Sequence, residues 1–223
     1  MNNLLVLYQV DSVPNQSSFL SWKKYCEKYN IKLNYFNHIV NNNLDRTNQI
    51  FYFYKILENN NLDVDNITFV ADTTLVNQNT PNIFNITDSK LTFAEWDSDF
   101  AYLFTNLEIY NDFYFKLNNL DFTRFFDLSF FVVNKSHKQI FENILNFFDE
   151  NYEEIKSKLD TSFIPQNFFF DCEYKKLPYN WNMLDMFRKE LTLDTNLKKI
   201  GYIFNFKGVP NKEKIMQELV NQL

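Results

Sequence analysis

Residues 67–76, ITFVADTTLV, decide the fold. The run is apolar and rich in β-branched and aromatic side chains up to Ala71, then stops on Asp72. A run this short and this continuously apolar reads as a parallel strand buried on both faces. Open α/β sheets bind ligands beyond the carboxyl ends of their strands, so this strand would deliver the Asp72 carboxylate to the edge where chemistry sits. Because Asp72 ends the strand rather than packing within it, its removal is expected to spare the fold.

The segments before and after fit the same sheet. Leu4 to Val10, LLVLYQV, is a second near-continuous apolar run, closed by the turn residues Asp11-Ser12-Val13-Pro14-Asn15. Phe19, Trp22, Cys26 and Tyr29 recur at helical spacing behind the cap candidates Ser17 and Ser18, and Ile31 to Phe36 alternates like a strand. The opening is therefore β-α-β. Ile50, Phe53, Tyr54 and Leu57 mark an amphipathic helix that leads into the strand ending at Asp72. Residues 77–119 interleave aromatics and Asn without a clean period, which leaves their topology open. Leu128 to Val133, LSFFVV, is again strand-like, and Ser136 with Gln139 forms an S-x-x-Q capping box for a helix through Phe148. Gly201 to Phe206 reads as a late strand, and Ile215, Met216, Leu219 and Val220 mark a terminal helix. The expectation is one α/β domain over residues 1–223, with a mostly parallel central sheet flanked by helices.

Composition disfavours several classes. The formal net charge of −6, with no clustered Lys/Arg face, lacks the footprint of a protein built to hold a phosphate backbone. No apolar stretch reaches the roughly 18 residues of a membrane span, and the N-terminus lacks the regions of a signal peptide, so a cytoplasmic location is expected. Two cysteines, Cys26 and Cys172, are too few for a disulfide framework and read as buried free thiols. His38 and His137 have no Cys, Ser or carboxylate partner at motif spacing and read as surface histidines. The 26 Phe, 13 Tyr and abundant Asn beside only 2 Gly fit an A+T-rich coding sequence, as in a phage, a virus or an A+T-rich bacterium.

With these elements in place, the chain resembles the GT-A (Rossmann-like) glycosyltransferases, most closely the family with glycogenin-like and lipopolysaccharide enzymes. Four landmarks stand in that family's order: Arg46 ahead of a helix to Leu57, the acidic motif Ala71 to Thr74, the segment Asp127 to Lys135, and an aromatic-x-Gly loop at Phe206-Lys207-Gly208. Between the last two, Pro165-Gln166-Asn167 and Leu177-Pro178-Tyr179-Asn180 look like the family's DQ-x-x-x-N and LP-x-x-YN stretch, with the leading acid replaced by Pro165.

The resemblance implies a nucleotide-diphosphate sugar as donor, with a UDP-sugar favoured, and a hydroxyl acceptor on a glycan, a protein or a modified DNA base. It also implies a divalent cation held by Asp-x-Asp and a His. Here Asp72 is present, but Thr74 replaces the second Asp and Asn205 the His. Both are neutral oxygen donors, so Mn²⁺ or Mg²⁺ would be held weakly, with Lys207 and Lys212 taking part of the charge and Gly208 admitting a close phosphate. The same resemblance implies that Tyr8 and Asp11 lie near the base, Arg46 near the nucleotide, and Asp127, Gln166 and Asn167 near the sugar. Asp97, Asp99 and Asp171 are candidates for the acceptor side, and retention of configuration is the family's outcome. Two alternatives stay open: a degenerate GT-A domain that binds or assembles without turnover, and a phage enzyme that glycosylates its own DNA.

Overall fold

The computed structural model describes residues 2–10, 13–94, 127–155, 163–170, 172–184 and 195–223. Asp11, Asp97, Asp99 and Asp171 lie outside the described residues. In chain order the elements are β1 (Asn3–Tyr8), α1 (Gln16–Tyr29), β2 (Lys32–Phe36), α2 (Phe53–Asn59), β3 (Asn66–Ala71), β4 (Thr74–Val76), β5 (Leu91–Ala94) and β6 (Phe130–Asn134). There follow α3 (Lys138–Glu150), α4 (Tyr152–Ile155), α5 (Phe163–Phe170), β7 (Tyr174–Leu177), β8 (Met183–Leu184), α6 (Thr195–Ile200), β9 (Ile203–Asn205) and α7 (Lys212–Leu219).

Six strands form the main sheet in the order β2-β1-β3-β6-β5-β7. β2, β1 and β3 run parallel, β6 is antiparallel to both its neighbours, and β5 and β7 are again parallel. The alternation of side chains along a strand explains why the apolar runs are continuous. In β1, Leu4, Val6 and Tyr8 pack beside Phe69, Phe131 and Phe141, whereas Leu5 and Leu7 pack on the other face beside Trp22, Tyr25 and Cys26. Helices α2 and α3 thus cover one face and α1 the other. The first face is a chain of rings: Phe69 stacks on Phe131 at 5.0 Å, and Phe51 meets Phe141 edge-on at 5.4 Å. Each such ring, fully buried, stabilises the fold by about 1.5–3 kcal/mol.

A second, three-stranded sheet, β4-β9-β8, leans on α7 through Leu75, Met183, Phe204, Phe206, Met216 and Leu219. The run 67–76 is therefore two strands, not one. Asp72 and Thr73 make a two-residue step from the main sheet into the small one.

Three local readings change. Helix α1 is capped by Asn15, whose side chain accepts the Ser18 amide, so Ser17 and Ser18 fall inside the helix. The capping box is formed by Asn134 and His137 around a short 3-10 turn, Lys135–His137, rather than by Ser136 and Gln139. That makes His137 a buried residue rather than a surface one. Its Nδ1 accepts the Asn134 amide at 3.1 Å, and burial holds its pKa below the usual 6.5. Cys26 is buried and Cys172 half-buried, both as free thiols.

Candidate functional site

The carboxyl ends of β1 and β3 and the start of β6 meet at one edge, because β6 runs antiparallel and brings Asp127 to the same side as Asp72. Backbone hydrogen bonds close this junction: the Asp72 amide donates to Tyr8 and the Ala71 amide to Ser129, each at 2.9 Å. Tyr8 is buried, and its hydroxyl donates to the Leu128 carbonyl at 2.8 Å. Burial raises its pKa well above 10, with the charges of Asp127 and Asp72 adding to the effect.

Asp72 is 1 % exposed. Its Oδ1 accepts the Val10 amide at 3.0 Å and its Oδ2 the Asn15 amide at 3.4 Å, so the carboxylate ties the loop after β1 to the end of β3. It also sits beside the N-terminus of α1, where a negative charge is favoured. The expectation that this acid is dispensable to the fold is corrected here, since it anchors the loop that opens α1. Tyr35, near the end of β2, lies close by. Burial, then the Asp72 charge, pushes its pKa up to about 12, while Arg46 opposes the shift. Arg46 is half-buried ahead of the 3-10 turn Thr47–Tyr52, near enough to Tyr35 for its charge to act on that hydroxyl. Gln49 holds the approach: its side chain accepts the Val40 and Asn41 amides and donates to the Asn41 and Leu44 carbonyls.

Thr74 turns the other way. Its hydroxyl donates to the Ala71 carbonyl at 2.7 Å and accepts Trp22 Nε1 at 2.9 Å, inside the interface with α1. The neighbour Thr73 is the residue whose hydroxyl meets Asn205, at 3.4 Å. Asn205 is fully buried and uses its whole carboxamide: Oδ1 accepts Thr73 and the Lys207 amide, and Nδ2 donates to Asp127 Oδ1 at 3.4 Å and Asn182 Oδ1 at 3.1 Å. Asp127 in turn accepts the Ser129 amide at 2.7 Å and pairs with Lys207 Nζ at 3.3 Å. The pair spans the boundary, with the Asp127 side chain 2 % exposed and that of Lys207 33 %.

Lys207 stands in a tight turn closed by the Val209 amide on the Phe206 carbonyl, with Gly208 at φ 76°. A positive φ at the third position of such a turn is what a glycine admits without strain. Lys212 opens α7 and is half-buried. Gln166 and Asn167 lie in the middle of α5. Thr73 and Asn182 join the cluster without having been marked by the sequence. Asn182 lies two residues past the Leu177-Pro178-Tyr179-Asn180 stretch, which is the nearest signal to it.

The divalent cation implied by the family does not fit these side chains. A hard cation needs open oxygen lone pairs from several ligands at once. The Thr74 hydroxyl points into the helix interface and both lone-pair positions of the Asn205 oxygen are filled, so two of the three expected ligands are turned away and Asp72, tied to two backbone amides, is the one that remains. Among the described residues no group of three or more His, Cys, Asp or Glu is placed to hold a metal ion.

No protein-family model matches the chain, and no curated protein matches it in sequence. Solved structures do match in fold. A glycosyltransferase involved in glycosylation of the major capsid of PBCV-1 superposes with a TM-score of 0.57 over 99% of both chains at 10% identity. The galactosyltransferase LgtC, in complex with donor and acceptor sugar analogs, gives 0.55 over 99% of this chain and 96% of its own at 12% identity. The bifunctional glycosyltransferase WbbM gives 0.56 at 11% identity, with 98% of this chain on 49% of its length.

Proposed function

On a chain with the GT-A glycosyltransferase fold, we propose that the carboxyl edge of β1 and β3 binds a nucleotide-diphosphate sugar and transfers the sugar to a hydroxyl acceptor. The observation that carries this reading is the convergence of Asp127, Asn182, Asn205 and Lys207 at that edge, a buried polar cluster whose Lys207 side chain is one-third exposed. Open α/β sheets take ligands there. UDP-sugar is the favoured donor. The loop from Val10 to Asn15, held by Asp72, and Arg46 would border the nucleotide. Lys207, Gly208 and Lys212 would face the diphosphate, and Asp127, Gln166 and Asn167 the sugar. Transfer would retain configuration, as the resemblance implies, and take place in the cytoplasm. The acceptor hydroxyl belongs to a glycan, a protein or a modified DNA base.

Thermal unfolding against UDP-, GDP-, ADP- and CMP-sugars, each with and without Mn²⁺, tests the reading. A donor at about 100 times its dissociation constant adds roughly 2.7 kcal/mol, a shift of several degrees for a chain of this size. A shift with one donor, followed by release of its nucleoside diphosphate in the presence of acceptor, is the expected result. No shift with any donor would overturn it. The engagement of Asp72 and Asn205 in internal hydrogen bonds supports a second reading, a domain that binds sugar nucleotide without turnover. A shift with no release would favour that one.

A further inference from the structure

The donor-binding reading leaves open what balances the charge of the diphosphate, and the closed state of Asp72, Thr74 and Asn205 bears on it directly. Thr74 and Asn205 would each have to break two internal hydrogen bonds to turn an oxygen toward a metal, and Asp72 by itself is one ligand of the several a divalent cation needs. Resting on that reading, we infer that Lys207 is the resident cation of this site and that nucleoside diphosphate binds without a divalent metal. The ammonium is already where a cation is needed. It lies 3.3 Å from the buried Asp127 carboxylate, and a third of the Lys207 side chain faces solvent, so its solvent side can receive a phosphate oxygen while its inner side stays on Asp127.

The surroundings hold the ammonium in place. Asp127 is fixed by the Ser129 amide and by Asn205 Nδ2, and the Lys207 backbone amide is fixed by Asn205 Oδ1. Asn205 therefore positions both the lysine and its counter-ion while also holding Thr73 and Asn182, four contacts that a histidine with one acceptor and one donor could not make. The turn at Gly208 sets the direction in which the lysine leaves the backbone. In transfer, the bond between the anomeric carbon and the diphosphate oxygen breaks with its electron pair on that oxygen. The acceptor oxygen bonds to the carbon, and its proton is carried off by water. Lys207 neutralises the charge left on the diphosphate.

Calorimetric titration with UDP, in excess EDTA and again with Mn²⁺, decides the matter on the unaltered protein. Equal affinity in the two conditions is expected, together with no heat on titrating Mn²⁺ alone. Lys207→Met, which keeps the aliphatic stem, is expected to weaken UDP by roughly ten- to a hundredfold with no rescue by Mn²⁺, as for loss of a charge-assisted hydrogen bond. Lys207→Arg should recover most of that loss. Abolition of UDP binding by EDTA, tightening by Mn²⁺, or full affinity in Lys207→Met would each overturn the inference while leaving donor binding intact. Failure of UDP and other nucleoside diphosphates to bind in any condition would overturn both.

Discussion

Asp72 illustrates how one residue can satisfy a motif and yet be used for something else. From its place after an apolar strand it reads as a ligand for a substrate or metal, and from its contacts it is the post to which the loop after β1 is tied. Removing it strands two backbone amides in a nearly dry site. Asp72→Ala is therefore expected to lower stability by about 1–3 kcal/mol, measured by urea unfolding with unchanged slope. Wild-type stability in that variant would mean the carboxylate is not the anchor. Thr74 makes the same point with the opposite geometry. Residues 72 and 74 of a continuous strand share a face, but the Asp72–Thr73 step between two sheets turns Thr74 toward Trp22 and brings Thr73 to Asn205. Alternation along the sequence carries no information about such a step.

At the scale of elements, the two glycines serve different needs. Gly201 precedes β9, and a Cβ there would lie 2.7 Å from Met183 Sδ and closer still to the Phe204 ring. Gly208 instead has a positive φ of 76°. Gly201→Ala is expected to cost about 1–3 kcal/mol through overpacking of the small sheet. Gly208→Ala should cost about 1 kcal/mol from backbone strain and act mainly on nucleotide affinity, by re-aiming Lys207. Thermal unfolding and UDP titration on both variants separate these effects. A pattern in which Gly208→Ala lost more stability than Gly201→Ala would contradict this division of roles. The elements themselves were largely legible: both opening strands, α1, the helix before β3, the strand at 130 and the terminal helix follow from period and punctuation. β5 was not, because Leu91–Ala94 is four residues long and sits among aromatics that carry no period of their own.

Over the whole molecule, proton uptake is coupled to unfolding through His137. Burial sets its folded pKa below the 6.5 of an exposed imidazole, and its Nδ1 must stay unprotonated to accept the Asn134 amide. The unfolded chain therefore holds that proton more tightly than the folded one. Its contribution is fully present above pH 6.5 and is lost as the pH falls from there through the folded pKa. Urea midpoints measured from about pH 7.5 down to about 5, within the ordinary imidazole range of about 5–8, are expected to drop more steeply for the wild type than for His137→Gln, which cannot titrate. Parallel curves would exclude this linkage.

The sequence by itself determined the layered α/β architecture, because strand and helix periods are local and each apolar run must be covered on the faces it exposes. It also determined the acidic net charge. Only the tertiary structure decided which polar groups meet. Asp127 and Asn205 are 78 residues apart, Asn205 and Asn182 are 23, and their contact depends on β6 entering the sheet antiparallel and β9 pairing with β4 and β8. A hydrogen bond between distant segments leaves no periodic trace in either one, so the cluster around Lys207 becomes visible only once the sheets have closed around it.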